Sequence, residues 1–189
     1  HTAIRRQRQM CIRDRLNGVH GMAKTTELIM GCDHRGLELK DKLKEWISPD
    51  DGEGIRFDIA VMYDAGVHTD KRADYPKIVK HFSDHFDIYE RGILVCGSGF
   101  GVAMAANRFP KTRAVVCRTV KEVITAREHN DMNVLCLGAD FTSFASAKKL
   151  VTAFFETKFL GGRYKTRTKQ LEGINAVSYT HLRAHETSP

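Results

Sequence analysis

RGILVCGSGFGVAMAAN, Arg91 to Asn107, decides how the rest of the chain is read. Ile93, Leu94 and Val95 are a short uncharged run of β-formers, the composition of a strand buried on both faces of a parallel sheet. The run stops at Cys96. Gly97, Gly99 and Gly101 then remove side chains from a turn whose backbone N–H groups point outward, and Val102 to Asn107 resumes at helical spacing with small residues. Such a helix start suits an anion. Cys96 thus combines the carboxyl end of a strand, a nearby positive helix end and room for a ligand. Electropositive settings lower a thiol from its usual ~8.5, so Cys96 is a candidate base or nucleophile. A buried strand-end cysteine without chemistry is the plainer alternative. Ser98 is placed either to hydrogen-bond a substrate oxygen or to cap the turn.

Outward from this stretch, short apolar runs alternate with helical patterns on both sides. Glu27 to Cys32 reads as a first strand, followed by the loop Asp33-His34-Arg35-Gly36 and a helix whose apolar face is Leu37, Leu39, Leu43, Trp46 and Ile47. Ile55 to Met62 is a second strand, and Tyr63 to Lys71 a polar, mobile loop. Asp74-Tyr75-Pro76 opens a helix through Ile78, Val79, Phe82, Phe86 and Ile88, with the proline in the tolerated first turn. Arg113 to Cys117 and Asn133 to Leu137 are the fourth and fifth strands. Between them a helix runs from about Thr119 into Arg127-Glu128-His129-Asn130-Asp131. A last helix covers Ser143 to Thr157, and Gly161-Gly162 separates it from a basic tail, Arg163 to Gln170. Five strands with helical crossovers predict an α/β fold, a three-layer αβα sandwich around a five-stranded parallel sheet. Ligands in such sheets bind beyond the carboxyl ends of the strands, where Asp33, His34, Cys96 and Ser98 fall.

The two ends read differently from the middle. RRQRQMCIRDR (5–15) and VSYTHLRAHET (177–187) resemble in-frame translations of sequencing-library adapters, and codons for QMCIRDR and VSYTHL can be chosen so that one DNA is largely the reverse complement of the other. Residues 1–21 and 177–189 are therefore expected to be non-native extensions flanking one domain, 22–176. Six of the 30 Lys and Arg lie in these ends against two of the 23 Asp and Glu, so the net charge of +7 falls to +3 for 22–176. That is no nucleic-acid footprint. Cys32, Cys96, Cys117 and Cys136 show no metal-ligand spacing and read as the reduced thiols of a cytoplasmic protein. No run approaches membrane-spanning length.

CGSGFG is not a P-loop, because no Lys-Ser or Lys-Thr follows its last glycine. As a dinucleotide fingerprint it has the wrong glycine spacing, and the next strand ends in Cys117 without an acidic ribose ligand. Asp33 and His34 either bind ligand or orient the loop that follows. His129, where a helix returns towards a strand, is a candidate proton shuttle, or simply a helix-terminal histidine favoured by the dipole. Arg163 and Arg167 share a face at i, i+4 spacing, as a phosphate clamp or a solvated basic face does. A base, a shuttle, a hydroxyl donor and cations together describe a sugar-phosphate site.

GCDHRG (31–36), DYP (74–76), CGSGFG with AAN (96–107), RAVVC (113–117), EHND (128–131), NVLCLG (133–138) and GGR (161–163) occur in one order over Glu27 to Ile174. In that combination the chain resembles the ribose-5-phosphate isomerase B family, which includes the galactose-6-phosphate isomerase subunits. The resemblance implies a Rossmann-like sheet without a dinucleotide, no metal and no cofactor, and a homodimer or tetramer with sites at the subunit interface. It implies that Cys96 moves the proton between C1 and C2 of a small sugar phosphate, ribose 5-phosphate first, with Ser98 beside the developing enediolate. Backbone N–H groups of Gly97, Gly99 and Gly101 would hold that oxyanion. His129 would open the furanose ring with Asn130 beside it, Asp33 and Tyr75 would contact sugar, and His34, Arg163 and Arg167 phosphate. Asp140 stands where many members carry a phosphate-holding arginine, Tyr164 replaces a common histidine, and the region 50–72 is long. The same chemistry on a tetrose or hexose phosphate is the nearest alternative. A non-catalytic sugar-phosphate-binding subunit of a composite isomerase, or a cysteine hydrolase, would belong to different classes.

Overall fold

Thr26–Cys32 (β1), Ile59–Asp64 (β2), Arg91–Cys96 (β3), Ala114–Val116 (β4) and Val134–Gly138 (β5) form one parallel sheet in the order β2-β1-β3-β5-β4. The structure is a computed structural model and describes residues 26–48, 57 and 59–183. Its helices are α1 (Leu37–Ile47), α2 (Tyr75–Phe86), α3 (Phe100–Ala106), α4 (Val120–Asn130), α5 (Phe144–Glu156) and α6 (Arg163–Arg183). β3, the stretch that governed the reading of the sequence, is the central strand.

Period-2 alternation divides the strand side chains between two cores. Leu28, Met30, Ile93, Val95, Leu135 and Leu137 face α1, α4 and α5. Ile29, Leu94, Cys96, Val134 and Cys136 face α2 and α3. Both sides of β3 are buried, which is why its sequence carries no polar alternation. The three-layer αβα architecture follows directly.

Four local readings are corrected. β2, whose expected start at Ile55 lies outside the described residues, continues past Met62 through Tyr63 to Asp64, because Met30 of β1 pairs with Asp64 and the aspartate has a buried partner described below. Ile88 falls beyond the end of α2 and is exposed rather than part of its buried face. β4 and β5 are each shifted or trimmed by one or two residues. The basic tail after Gly161-Gly162 is a helix, α6. The expected extension 1–21 lies outside the described residues.

Strand directions set the two poles of the molecule. The β1 and β3 loops leave their strands towards opposite edges of the sheet, so a topological switch point opens between them. Cys32 is in register with Val95, and Cys96 with Gly138, so the β1, β3 and β5 loops emerge side by side.

Candidate active site

Backbone hydrogen bonds lock these loops to the central strand. The Asp33 N–H donates to Val95 O at 3.2 Å, Ala139 N–H to Cys96 O at 2.8 Å, and Asp140 N–H to Gly97 O at 3.0 Å. Cys96 is 4% exposed, and its Sγ accepts the Gly99 N–H at 3.1 Å. Gly99 has φ +81°, a left-handed conformation that turns its amide back onto the sulfur and that a Cβ would strain. Ser98 Oγ accepts the Phe100 N–H at 3.3 Å, so the serine caps the turn while its O–H remains a donor. A Cβ on Gly101 would lie 2.9–3.1 Å from ring carbons of Tyr75, so this glycine lets the tyrosine rest on the first turn of α3.

The other cysteines differ in kind. Burial pushes the Cys32 and Cys117 thiols up to about 12, and Cys136 well above its ordinary range.

Asp33 and His34 organise the neighbouring loops. Asp33 Oδ1 accepts the Arg35 N–H at 3.0 Å and the Gly36 N–H at 3.1 Å, the loop-orienting role considered from sequence. His34 Nδ1 accepts the Ala73 N–H at 3.3 Å, which leaves Nε2 as the protonated donor of the neutral ring. The segment between β2 and α2, read as a mobile loop, is therefore tied at Ala73. It is also tied at its start, where Gly66 N–H meets Asp64 Oδ1 at 3.0 Å and Val67 N–H meets Cys32 O at 3.1 Å.

Two pairs in this region escaped the sequence reading. Lys40, with no exposed side-chain surface, places Nζ 2.6 Å from Asp64 Oδ2 and 2.8 Å from Asp41 Oδ1. Burial raises the Asp64 pKa, but the Lys40 bond and the Gly66 N–H outweigh it and hold the carboxyl below its ordinary range. Asp140, whose carboxylate would repel an anionic substrate if it stood alone, is paired with Arg35 Nη2 at 2.6 Å. These partners lie 24 and 105 residues apart. No local pattern links residues at such separations.

The remaining candidates stand at the other pole. Thr119 caps α4 just after β4, with the reciprocal Glu122 contacts of a capping box, and the helix runs back along the sheet for 11 residues, about 16 Å. It ends where Asp131, in the left-handed region at φ 47°, bonds Arg113 Nη2 at 2.8 Å and Arg127 Nη1 at 2.9 Å. Arg127 is 2% exposed and also donates to Met132 O at 2.5 Å and Thr157 O at 3.2 Å. This buried guanidinium fixes the end of α4, and the sequence reading gave Arg127 no role. His129 stacks on Tyr164 with ring centroids 4.4 Å apart and planes at 10°. Arg163 Nη2 donates to the Tyr164 hydroxyl at 3.0 Å, and Arg167 lies one turn further along α6. Asn130 is exposed beside His129.

Within one chain, then, Cys96, Ser98, Asp33, His34 and Tyr75 stand at the carboxyl ends of the strands, whereas His129, Asn130, Arg163 and Arg167 stand at the amino ends. Proton transfer needs about 2.6–3.2 Å between heavy atoms. A single subunit does not bring thiol and imidazole together. Among the described residues no three His, Cys, Asp or Glu side chains group as a metal ion would require, and no helix is long and apolar enough to cross a membrane.

An open parallel sheet with a buried thiol and a glycine turn at its switch point defines the class, an α/β protein with a candidate site at the carboxyl ends of its strands. Comparison with known proteins identifies the family. Residues 28–171 match the Ribose/Galactose Isomerase family, and the chain belongs to it. The ribose-5-phosphate isomerase B of Escherichia coli is 32% identical over 154 residues, 78% of this chain and 95% of that protein. Among solved structures, ribose-5-phosphate isomerase B of Clostridium thermocellum superposes with a TM-score of 0.73 at 30% identity, covering 80% of this chain and 99% of that one. The Thermotoga maritima ribose 5-phosphate isomerase gives 0.71 at 30% identity over 79% and 99% of the two chains.

Proposed function

We propose that this isomerase interconverts ribose 5-phosphate and ribulose 5-phosphate as a homodimer in which each site joins the Cys96 pole of one subunit to the His129 pole of the other. The observation that carries the chemistry is the Gly99 amide donating to Cys96 Sγ at the end of the central strand. The Cys96 thiolate removes the C2 proton of the open-chain aldose and returns it to C1. The O2 proton moves to O1 through the cis-enediolate, with the Ser98 hydroxyl as a donor beside it. His129 from the other subunit protonates the ring oxygen as the C1–O bond breaks and the anomeric hydroxyl releases its proton to water, which opens the furanose, and Arg163 and Arg167 of that pole meet the phosphate.

The dimer is argued from the separation of the poles and from an uncovered apolar surface. Phe100 and Met104 of α3 are 49% and 64% exposed, and Tyr75 of α2 lies beside them at 37%. A second copy seated there would bury this surface and bring its own pole towards Cys96, in the two-fold arrangement commonest among homo-oligomers.

Turnover of four-, five- and six-carbon aldose phosphates by the full chain, with Cys96→Ala in parallel, tests the reading. Ribose 5-phosphate turnover that disappears in the variant supports it. Preference for another carbon length reassigns the substrate, and saturable binding without turnover of any sugar overturns the enzyme.

A further inference from the structure

Arg35 and Asp140 reach across the glycine turn from opposite sides. Arg35 follows the Asp33 turn after β1, with its own N–H held by Asp33 Oδ1 at 3.0 Å, and Asp140 follows β5. Their side chains meet at 2.6 Å directly above Gly97. A Cβ on Gly97 would lie 2.8 Å from Arg35 Cζ and Nε and 3.0 Å from Asp140 Oδ2. The guanidinium therefore lies against the peptide that joins Cys96 to Ser98.

This pair does little for the scaffold. The side chains are 58% and 39% exposed, and ion pairs so exposed contribute ~0–1 kcal/mol. Backbone bonds from Asp33, Ala139 and Asp140 already tie the same loops to β3. What the pair does accomplish is orientation. An arginine side chain carries costly rotational freedom, and a carboxylate on Nη2 fixes the plane of the fork while other N–H groups of its five remain to be offered.

We propose that Arg35 is a substrate-binding residue for the reacting end of the sugar, donating to the enediolate oxygens as negative charge develops, and that Asp140 is its positioning residue. The proposal rests on the isomerase reading above. Three features favour the reacting end over the phosphate. Gly97 is the residue next to the base, so the guanidinium lies against the backbone that follows Cys96 directly. The phosphoryl group lies three carbons further along a five-carbon chain. Partial neutralisation by Asp140 suits a singly charged oxyanion better than a dianion. A preorganised donor of this kind acts on the rate.

The test uses the full chain carrying Arg35→Gln, Arg35→Lys or Asp140→Asn, with steady-state kinetics on ribose 5-phosphate. Arg35→Gln is expected to lower kcat about 10²–10³-fold with KM nearly unchanged. Lysine should restore part of the loss, and Asp140→Asn should give a smaller fall in kcat. A raised KM with kcat intact would assign Arg35 to the phosphate and overturn the proposal, as would no change in either constant. Calorimetric binding of a phosphorylated aldonohydroxamate, whose planar anionic head imitates the enediolate, is measured alongside inorganic phosphate. Weaker hydroxamate binding by Arg35→Gln with unchanged phosphate binding supports Arg35 even if the wild-type chain turns over no sugar, an outcome that would overturn only the isomerase reading. Equal hydroxamate binding by both proteins overturns the role of Arg35.

Discussion

The Gly99 amide donates to Cys96 Sγ at 3.1 Å across a turn that only a left-handed residue can make. Burial pushes up the thiols of the other described cysteines, Cys32, Cys117 and Cys136. Cys96→Ala should lower kcat about 10²–10⁴-fold, the range of a lost general base, with little change in circular dichroism or KM. Iodoacetamide at pH 8 should modify Cys96 ahead of Cys32, Cys117 and Cys136, read by peptide mass, and ribose 5-phosphate should slow that modification. Equal labelling of Cys32 would contradict the assignment.

Lys40 and Asp64 make a buried pair whose effect is on stability. Asp64→Asn leaves the Lys40 ammonium with Asp41 as its charged partner and should destabilise the fold by about 3–5 kcal/mol in urea titration. Lys40→Met with Asp64→Asn should recover much of that loss. The folded-state pKa of Asp64 is depressed, so its contribution is present above the unfolded value of about 3.9 and disappears as pH falls through the lower folded value. Burial lowers the Lys40 pKa, but bonds to Asp41 and Asp64 carry it upward. Its contribution is complete below about 10.4 and lost at still higher pH. Wild-type stability should fall at both extremes, and the double variant should show a flatter profile.

Asp131 holds the end of α4 through Arg113 and Arg127. Asparagine tolerates the left-handed backbone there, so Asp131→Asn removes charge without breaking the turn. The buried Arg127 then loses its counter-ion. A loss of about 1–3 kcal/mol is expected by thermal or urea unfolding. Because His129 sits two residues away, kcat should also drop about ten- to a hundredfold. Unchanged kcat in a destabilised protein would show that α4 does not position catalytic groups.

Much of this was legible in the chain. β3 could be placed because Ile93 to Val95 carry no polar alternation and the glycines follow at once, and the alternating apolar runs required a parallel sheet. Asp64 misled because a charged residue at the end of an apolar run reads as loop, and only its pairing with Met30 and the arrival of Lys40 keep it in the strand. Lys40 itself lies beside Leu39 on an amphipathic helix, where a lysine ordinarily faces water. Cys96 and Ser98 could be proposed from sequence because turn chemistry is local. Arg35 with Asp140 could not, since 105 residues separate the partners. That His129 and Cys96 belong to opposite poles follows from helix direction, which residue spacing alone does not express.

The most direct test is complementation between Cys96→Ala and His129→Ala subunits, mixed equally, dissociated, reassociated and assayed on ribose 5-phosphate. Each variant alone should be nearly inactive. In the mixture half of the dimers pair unlike subunits, and each of those holds one site with both residues intact, so turnover should recover to about a quarter of the wild-type value. Activity no greater than the sum of the two variants, in a mixture shown to have exchanged subunits, would contradict a site shared between the two poles.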